Sequence, residues 1–170
     1  MSKYGYVLSF ILLLLFQIII VNSVSLWGIV TPMVYILFIL ILPFQTPRWL
    51  VVLLGFLMGF SVDMFTGVLG LHAIASGLIA FLRMPIINVI PSKVTFEEHL
   101  RPILWDMHFK WYFQYVLYLT LIHHIVYYFL EAMSFDNFLL VLGIALLNVA
   151  FTVLLLMLFQ VIFFKASKRY

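Results

Sequence analysis

Long uninterrupted runs of apolar residues follow one another along almost the whole chain, separated by short segments that contain Pro, Gly, Asn or Ser. A helix that crosses a bilayer needs about 20 mostly apolar residues. Strands of a membrane barrel would alternate apolar and polar residues, and these runs do not alternate. The pattern predicts a loop over 85–110 and six transmembrane helices, at about 5–22, 27–44, 49–66, 68–84, 111–130 and 138–164.

The composition leads to the same class of protein. Of the 170 residues, 66% are hydrophobic and 9% are charged, whereas roughly a quarter of the residues of a soluble domain are charged. We therefore expect an all-α integral membrane protein in which residues 1–170 form a single membrane domain. The chain contains no cysteine, which excludes disulfides, thiolate metal sites and a cysteine nucleophile.

The basic residues give a prediction of orientation. On the predicted topology, all of them fall on one side of the membrane: Lys3, Arg48, Arg83, Lys93, Arg101, Lys110, Lys165, Lys168 and Arg169. Because cytoplasmic loops of membrane proteins carry the excess of Lys and Arg, both termini are predicted to be cytoplasmic. The formal net charge of +3 is then a feature of topology and does not indicate a nucleic-acid partner.

The third predicted helix carries the most informative pattern. Gly55, Gly59, Asp63 and Gly67 recur every four residues and so share one helix face, and Gly70 follows across the turn. Two glycines four residues apart let another helix approach closely, either within the same bundle or from a partner protein. Asp63 then either reaches the outer headgroups or binds a buried donor on another helix or another protein.

Three histidines are predicted at about the depth of Asp63: His72, His123 and His124. Adjacent histidines on a helix point about 100° apart and do not easily bind one ion together. A polar cluster that fixes helix packing is therefore favoured over a metal site or a proton relay. The sequence shows no catalytic motif, so we expect a protein that is not an enzyme and has neither a cofactor nor a metal.

The run from Gly55 to Ala73 resembles the rod-shape-determining MreD family of bacteria, with a motif that covers about residues 50–83. The pair His123-His124, followed by Tyr127, Tyr128 and Glu131, is also similar to MreD-like sequences. The family residues matched by position are Gly55, Gly59, Asp63, Gly67 and Gly70.

The resemblance implies a non-enzymatic scaffold of the cell-elongation machinery in the bacterial inner (cytoplasmic) membrane. Such a protein binds an MreC-like bitopic membrane protein and, through it, MreB, RodA and a penicillin-binding transpeptidase. It thereby helps to regulate peptidoglycan synthesis and cell shape. If the glycine groove binds the partner, Gly59→Leu is expected to weaken that association.

The same resemblance implies a fold similar to the S components of energy-coupling-factor transporters. The alternative function is therefore the substrate-binding S component of a vitamin or metal uptake transporter. Such proteins carry an Ala-x-x-x-Ala face on the first helix, whereas the first alanine here is Ala73. A third possibility, a small-ligand or lipid pocket, would require Asp63, His72, His123 and His124 to converge.

Overall fold

The computed structural model describes residues 3–21, 29–68, 70–92, 101–133 and 136–164. Helix α1 spans Lys3–Leu15 and continues as a π-helix over Phe16–Val21. Helix α2 is only five residues long, Leu37–Ile41, and follows a 3₁₀ turn at Val34–Ile36. Four long helices complete the bundle: α3 at Arg48–Thr66, α4 at Leu71–Val89, α5 at Phe109–Ala132 and α6 at Phe138–Phe163.

In the part of the chain that the structure describes, five helices are long and apolar enough to cross a membrane. They are the segment Tyr4–Val21 and the helices α3 to α6, and their lengths run from 18 to 26 residues. At 1.5 Å per residue, even the shortest of them covers about 27 Å, close to the thickness of the hydrocarbon layer. The prediction of an all-helical fold is confirmed, and the lengths of these helices are compatible with a multi-pass membrane protein.

The second predicted helix, 27–44, is wrong as a continuous helix. Within residues 29–44, named here the central segment, only Val34–Ile41 is helical. Pro32 lacks an amide donor and Pro43 ends the helical stretch, which are the local reasons for the interruption. The central segment is nevertheless the core of the bundle, since every side chain from Met33 to Leu42 is at most 3% exposed.

The packing of the elements defines two ends of the bundle. The central segment runs antiparallel to α1: the Gln17 side chain binds the backbone of Val34, and the rings of Phe10 and Phe38 lie 5.1 Å apart. We call the end that contains the turn between α3 and α4 the His72 end. The opposite end, where α3 begins and α4 finishes, is the Arg83 end.

The loop predicted over 85–110 is shorter than expected. Helix α4 continues through Pro85 to Val89, and residues 93–100 lie outside the described part of the chain. Near the end of the loop, Ile103 and Met107 are buried under the bundle. The backbone amide of Leu104 donates a hydrogen bond to the side chain of Gln160 on α6 (3.4 Å), so this part of the loop is fastened to the Arg83 end.

Candidate functional site

The glycine groove of α3 is filled by α4 of the same chain. A Cβ atom built on Gly55 would lie 2.8 Å from the Cβ of Ala80. One built on Gly59 would lie 2.7 Å from the backbone nitrogen of Ala73 and would overlap the carbonyl group of His72. Of the two alternatives for this face, the structure shows packing within the bundle. Substituting Gly59 by leucine would push the two helices apart and so would test the fold before it tested any partner.

Gly67 and Gly70 shape the turn that connects the two helices. Their φ angles are +73° and +88°, in the left-handed region that side chains with a Cβ rarely adopt. A Cβ added to either glycine would meet no other group within 4 Å, so backbone conformation alone requires glycine here. The amide of Gly67 donates to the carbonyl of Asp63 (3.0 Å) and closes the end of α3.

Asp63 is fully buried and binds the beginning of α4. Its Oδ1 accepts hydrogen bonds from the backbone amide of His72 (3.0 Å) and from His72 Nδ1 (2.8 Å). Its Oδ2 accepts one from the amide of Ala73 (2.9 Å). These amides have no acceptor within their own helix, and the helix N-terminus favours a negative charge. Of the two alternatives for Asp63, the structure therefore shows the buried acceptor and not a carboxylate in the outer headgroups. Its donors come from this chain.

Tyr35 of the central segment connects two of the histidines. Its hydroxyl lies 2.8 Å from His123 Nε2 and accepts a hydrogen bond from Ser76 (3.4 Å). The ring of Tyr35 packs edge-on against His72 at 5.8 Å and against His123 at 5.7 Å. Asp63, His72 and His123 therefore belong to one buried cluster. The sequence analysis missed Tyr35, because an isolated tyrosine in an apolar run gives no polar pattern.

His124 forms hydrogen bonds of its own, and its ring lies 5.4 Å from the ring of His123. Its Nδ1–H donates to the carbonyl of Thr120 (2.9 Å), and its Nε2 lies 3.0 Å from the hydroxyl of Thr152 on α6. Since Nδ1 carries the proton, Nε2 of the neutral ring accepts from that hydroxyl. The same hydroxyl oxygen accepts the amide of Met33 (3.1 Å). In the described part of the chain, no group of three His, Cys, Asp or Glu side chains is arranged to hold a metal ion.

The interrupted backbone of the central segment is bound by two side-chain amides. Gln17 donates to the carbonyl of Pro32 (3.1 Å) and accepts from the amide of Val34 (2.8 Å). Asn148 on α6 accepts from the amide of Thr31 (2.7 Å). Backbone groups that are not in a helix must find such partners when no water is present. The two amides therefore stabilise an unwound backbone.

Arg83 has the same role at the opposite end of the central segment. It is fully buried, whereas the sequence analysis counted it only among the basic residues on the cytoplasmic side. Its Nε donates to the hydroxyl of Tyr115 (2.9 Å), and its guanidinium donates to the carbonyls of Leu42 and Pro43. The Tyr115 hydroxyl in turn donates to the carbonyl of Leu40 (3.1 Å). Carbonyls that a continued helix would have bound are thus satisfied by these two side chains.

A cleft of about 600 Å³ opens at the His72 end of the bundle. Every long helix and the central segment contribute to its lining, which consists of Gln17, Ile18, Ile29, Thr31, Met33, Phe65, Thr66, His72, Tyr127, Tyr128, Glu131, Ala132, Val141 and Ile144. On its polar wall, the Tyr127 hydroxyl donates to the carboxylate of Glu131 (3.2 Å). The ring of Tyr127 packs against His72, with the ring centres 4.5 Å apart.

Comparisons of the chain with protein-family models, with curated protein sequences and with solved structures gave no significant match. The MreD-like character expected from the motif between Gly55 and Ala73 stays a prediction.

Proposed function

We propose that the chain is a non-enzymatic membrane scaffold of the bacterial cell-elongation machinery, which binds an MreC-like bitopic protein within the membrane. The observation that carries this proposal is that the buried polar side chains form hydrogen bonds within the bundle. Asp63, Gln17 and Arg83 all bind backbone groups of this chain. They hold the fold together, which leaves the apolar outer faces of the helices as the surface for interaction.

Helix α1 offers the most open of these faces. Only 17% of the residues of its membrane-spanning window are buried, and Leu8 and Leu12 are more than half exposed. Between α1 and α6 lies an apolar groove of about 290 Å³, lined among others by Leu12, Phe16 and Phe159. Helices associate in lipid through van der Waals packing, and such a groove supports docking of a partner's single transmembrane helix.

The proposal includes a topology of six crossings with both termini in the cytoplasm of a bacterium and the chain in its inner membrane. The central segment supplies the crossing that is not a long helix, because it leads from Gln17 at the His72 end to Arg83 at the other. The charges support the orientation: Arg48, Arg101 and Lys110 lie at the Arg83 end, and basic residues favour the cytoplasmic side.

The test is mild detergent extraction of the tagged chain from native membranes, followed by mass spectrometry of the proteins that co-purify. Photo-crosslinking residues placed one at a time at Leu8, Leu57 and Leu147, which are exposed on α1, α3 and α6, would map the contact. We expect crosslinks to an MreC-like bitopic protein from one of these faces, together with rounded cells when the chain is depleted. Normal cell shape after depletion, with no bitopic partner crosslinked from any face, would contradict the proposal.

The cleft at the His72 end favours a second candidate, the substrate-binding component of an uptake transporter. Its volume is in the range of sites for small molecules. In this case ABC-type ATPases and a coupling subunit should co-purify in place of a bitopic protein. Helix α1 has no alanine, so it lacks the Ala-x-x-x-Ala face by which S components dock on their transport module, and the scaffold remains the favoured function.

A further inference from the structure

The cleft at the His72 end combines one carboxylate with aromatic rings and an apolar floor. Glu131 lies on its wall beside Tyr127 and Tyr128, and the floor includes Met33 and Ile144. The rings of the two tyrosines meet edge to face at 5.2 Å. Such a set of groups is suited to an organic cation, because the carboxylate pairs with the charge and the faces of the rings attract it.

The charge on the wall of the cleft is negative. Among the residues that the structure describes, Glu131 forms no salt bridge, and the described basic side chains lie at the Arg83 end. A negative charge beside low-dielectric walls raises the local concentration of the opposite ion. The cleft is therefore suited to positively charged ligands.

His72 adds a hydrogen-bond acceptor to the wall of the cleft. Asp63 accepts the proton on its Nδ1, so Nε2 of the neutral ring carries a lone pair. A ligand that satisfies both Glu131 and His72 must itself donate hydrogen bonds. A primary ammonium group does this with three N–H bonds, whereas a quaternary ammonium does not. A metal ion would require several more oxygen or nitrogen ligands than this wall supplies.

We propose that this cleft binds the primary ammonium group of an amphipathic ligand, held by Glu131 and His72 against the rings of Tyr127 and Tyr128. The cleft's volume of about 600 Å³ leaves room for an apolar body against Met33 and Ile144. The ammonium group comes either from a soluble amine or from the headgroup of an aminophospholipid. The site is additional to the scaffold role and does not depend on it, since the groove between α1 and α6 lies elsewhere.

The soluble arm of the test uses the purified chain in nanodiscs of phosphatidylglycerol, titrated with phenethylamine and with phenethyl alcohol by isothermal calorimetry. The two probes have nearly the same shape and differ in charge. We expect the amine to bind and the alcohol to bind at least about tenfold more weakly. Glu131→Gln should reduce amine binding by about tenfold or more, since a charge-assisted contact is lost, while Asp136→Asn, outside the cleft, should change it little.

The lipid arm uses native mass spectrometry of the chain released from nanodiscs that contain equal amounts of phosphatidylethanolamine and phosphatidylglycerol. Selective retention of phosphatidylethanolamine by the wild type, lost in Glu131→Gln and kept in Asp136→Asn, would identify the headgroup as the source. The site is overturned if neither amine binds the wild type, or if Glu131→Gln binds both as well as the wild type does. Because these assays contain no partner protein, their failure leaves the crosslinking test of the scaffold untouched.

Discussion

The hairpin of α3 and α4 and the central segment satisfy their buried backbone groups in opposite ways. In the hairpin, two regular helices approach closely because Gly55 and Gly59 have no side chains, and a single carboxylate, Asp63, satisfies the free amides of α4. In the central segment, the backbone leaves the helix in the middle of the bundle. Its polar groups are satisfied one by one from other elements, by Gln17 and Asn148 near the His72 end and by Arg83 near the other.

The difference shows where polar residues are tolerated in an apolar bundle. The hairpin concentrates the hydrogen bonds at its turn in the Asp63 side chain, so that a single substitution removes three of them. The central segment distributes them over several helices, so that each side chain contributes a smaller share. Substitutions in the two regions should therefore differ in the size of their effect, with the largest loss of stability expected in the hairpin.

Asp63→Ala is expected to have the largest effect. It removes three hydrogen bonds and leaves the amides of His72 and Ala73 without an acceptor. The free energy of unfolding, measured in mixed detergent micelles, should fall by about 3 kcal/mol or more. Asp63→Asn keeps one acceptor oxygen and should lose less. Ser61→Ala is the control on the same helix, since the Ser61 hydroxyl donates only to the carbonyl one turn before it. A loss no larger than that of Ser61→Ala would show that Asp63 does not hold the hairpin.

Gly59→Ala tests the close approach of the two helices. The added methyl group would overlap the carbonyl group of His72, so α4 must move, and overpacking of this kind typically reduces stability by about 1–3 kcal/mol. Gly143→Ala on α6 is the matched control, because a Cβ there meets open space. That variant should be neutral or slightly more stable, since alanine favours the helix. Equal melting temperatures for the two variants would remove the argument that Gly59 is needed for packing.

The hairpin could be predicted from the sequence, whereas the central segment could not. The spacing of Gly55, Gly59 and Asp63 predicts one face of a helix, and the positive φ of Gly67 and Gly70 agrees with a glycine turn. By contrast, residues 29–44 have the hydropathy of a helix, and apolar side chains carry no information on whether their backbone is wound. Pro32 and Pro43 were visible signals of a break. What they could not show is that Gln17 and Asn148, far away in sequence, bind the released backbone.

Arg83→Met examines the less regular region at the Arg83 end. Methionine fills a similar volume but leaves the carbonyls of Leu42 and Pro43 and the Tyr115 hydroxyl without their donor. The expected loss is about 2 kcal/mol. It is smaller than for Asp63→Ala because the variant no longer carries the free-energy cost of desolvating the buried guanidinium. Arg48→Met is the control at the same end. Arg48 is exposed and touches only the ring and the carbonyl of Phe81, so little change is expected. If both arginine variants unfold like the wild type, Arg83 does not stabilise the central segment.

Gln17→Leu should have the smallest effect of the four, about 1 kcal/mol, in line with hydrogen bonds measured inside membrane bundles. The amide binds three backbone groups of the central segment, the carbonyl of Pro32 and the amides of Val34 and Tyr35. Asn148 and Thr152 continue to hold the neighbouring groups. Gln114→Leu, at a half-buried amide on α5, controls for the change of residue type. Combining Gln17→Leu with Asn148→Leu distinguishes shared support from independent contacts. A loss larger than the sum of the two single losses means that each amide compensates for the other, while a purely additive loss means that each holds its own stretch of backbone.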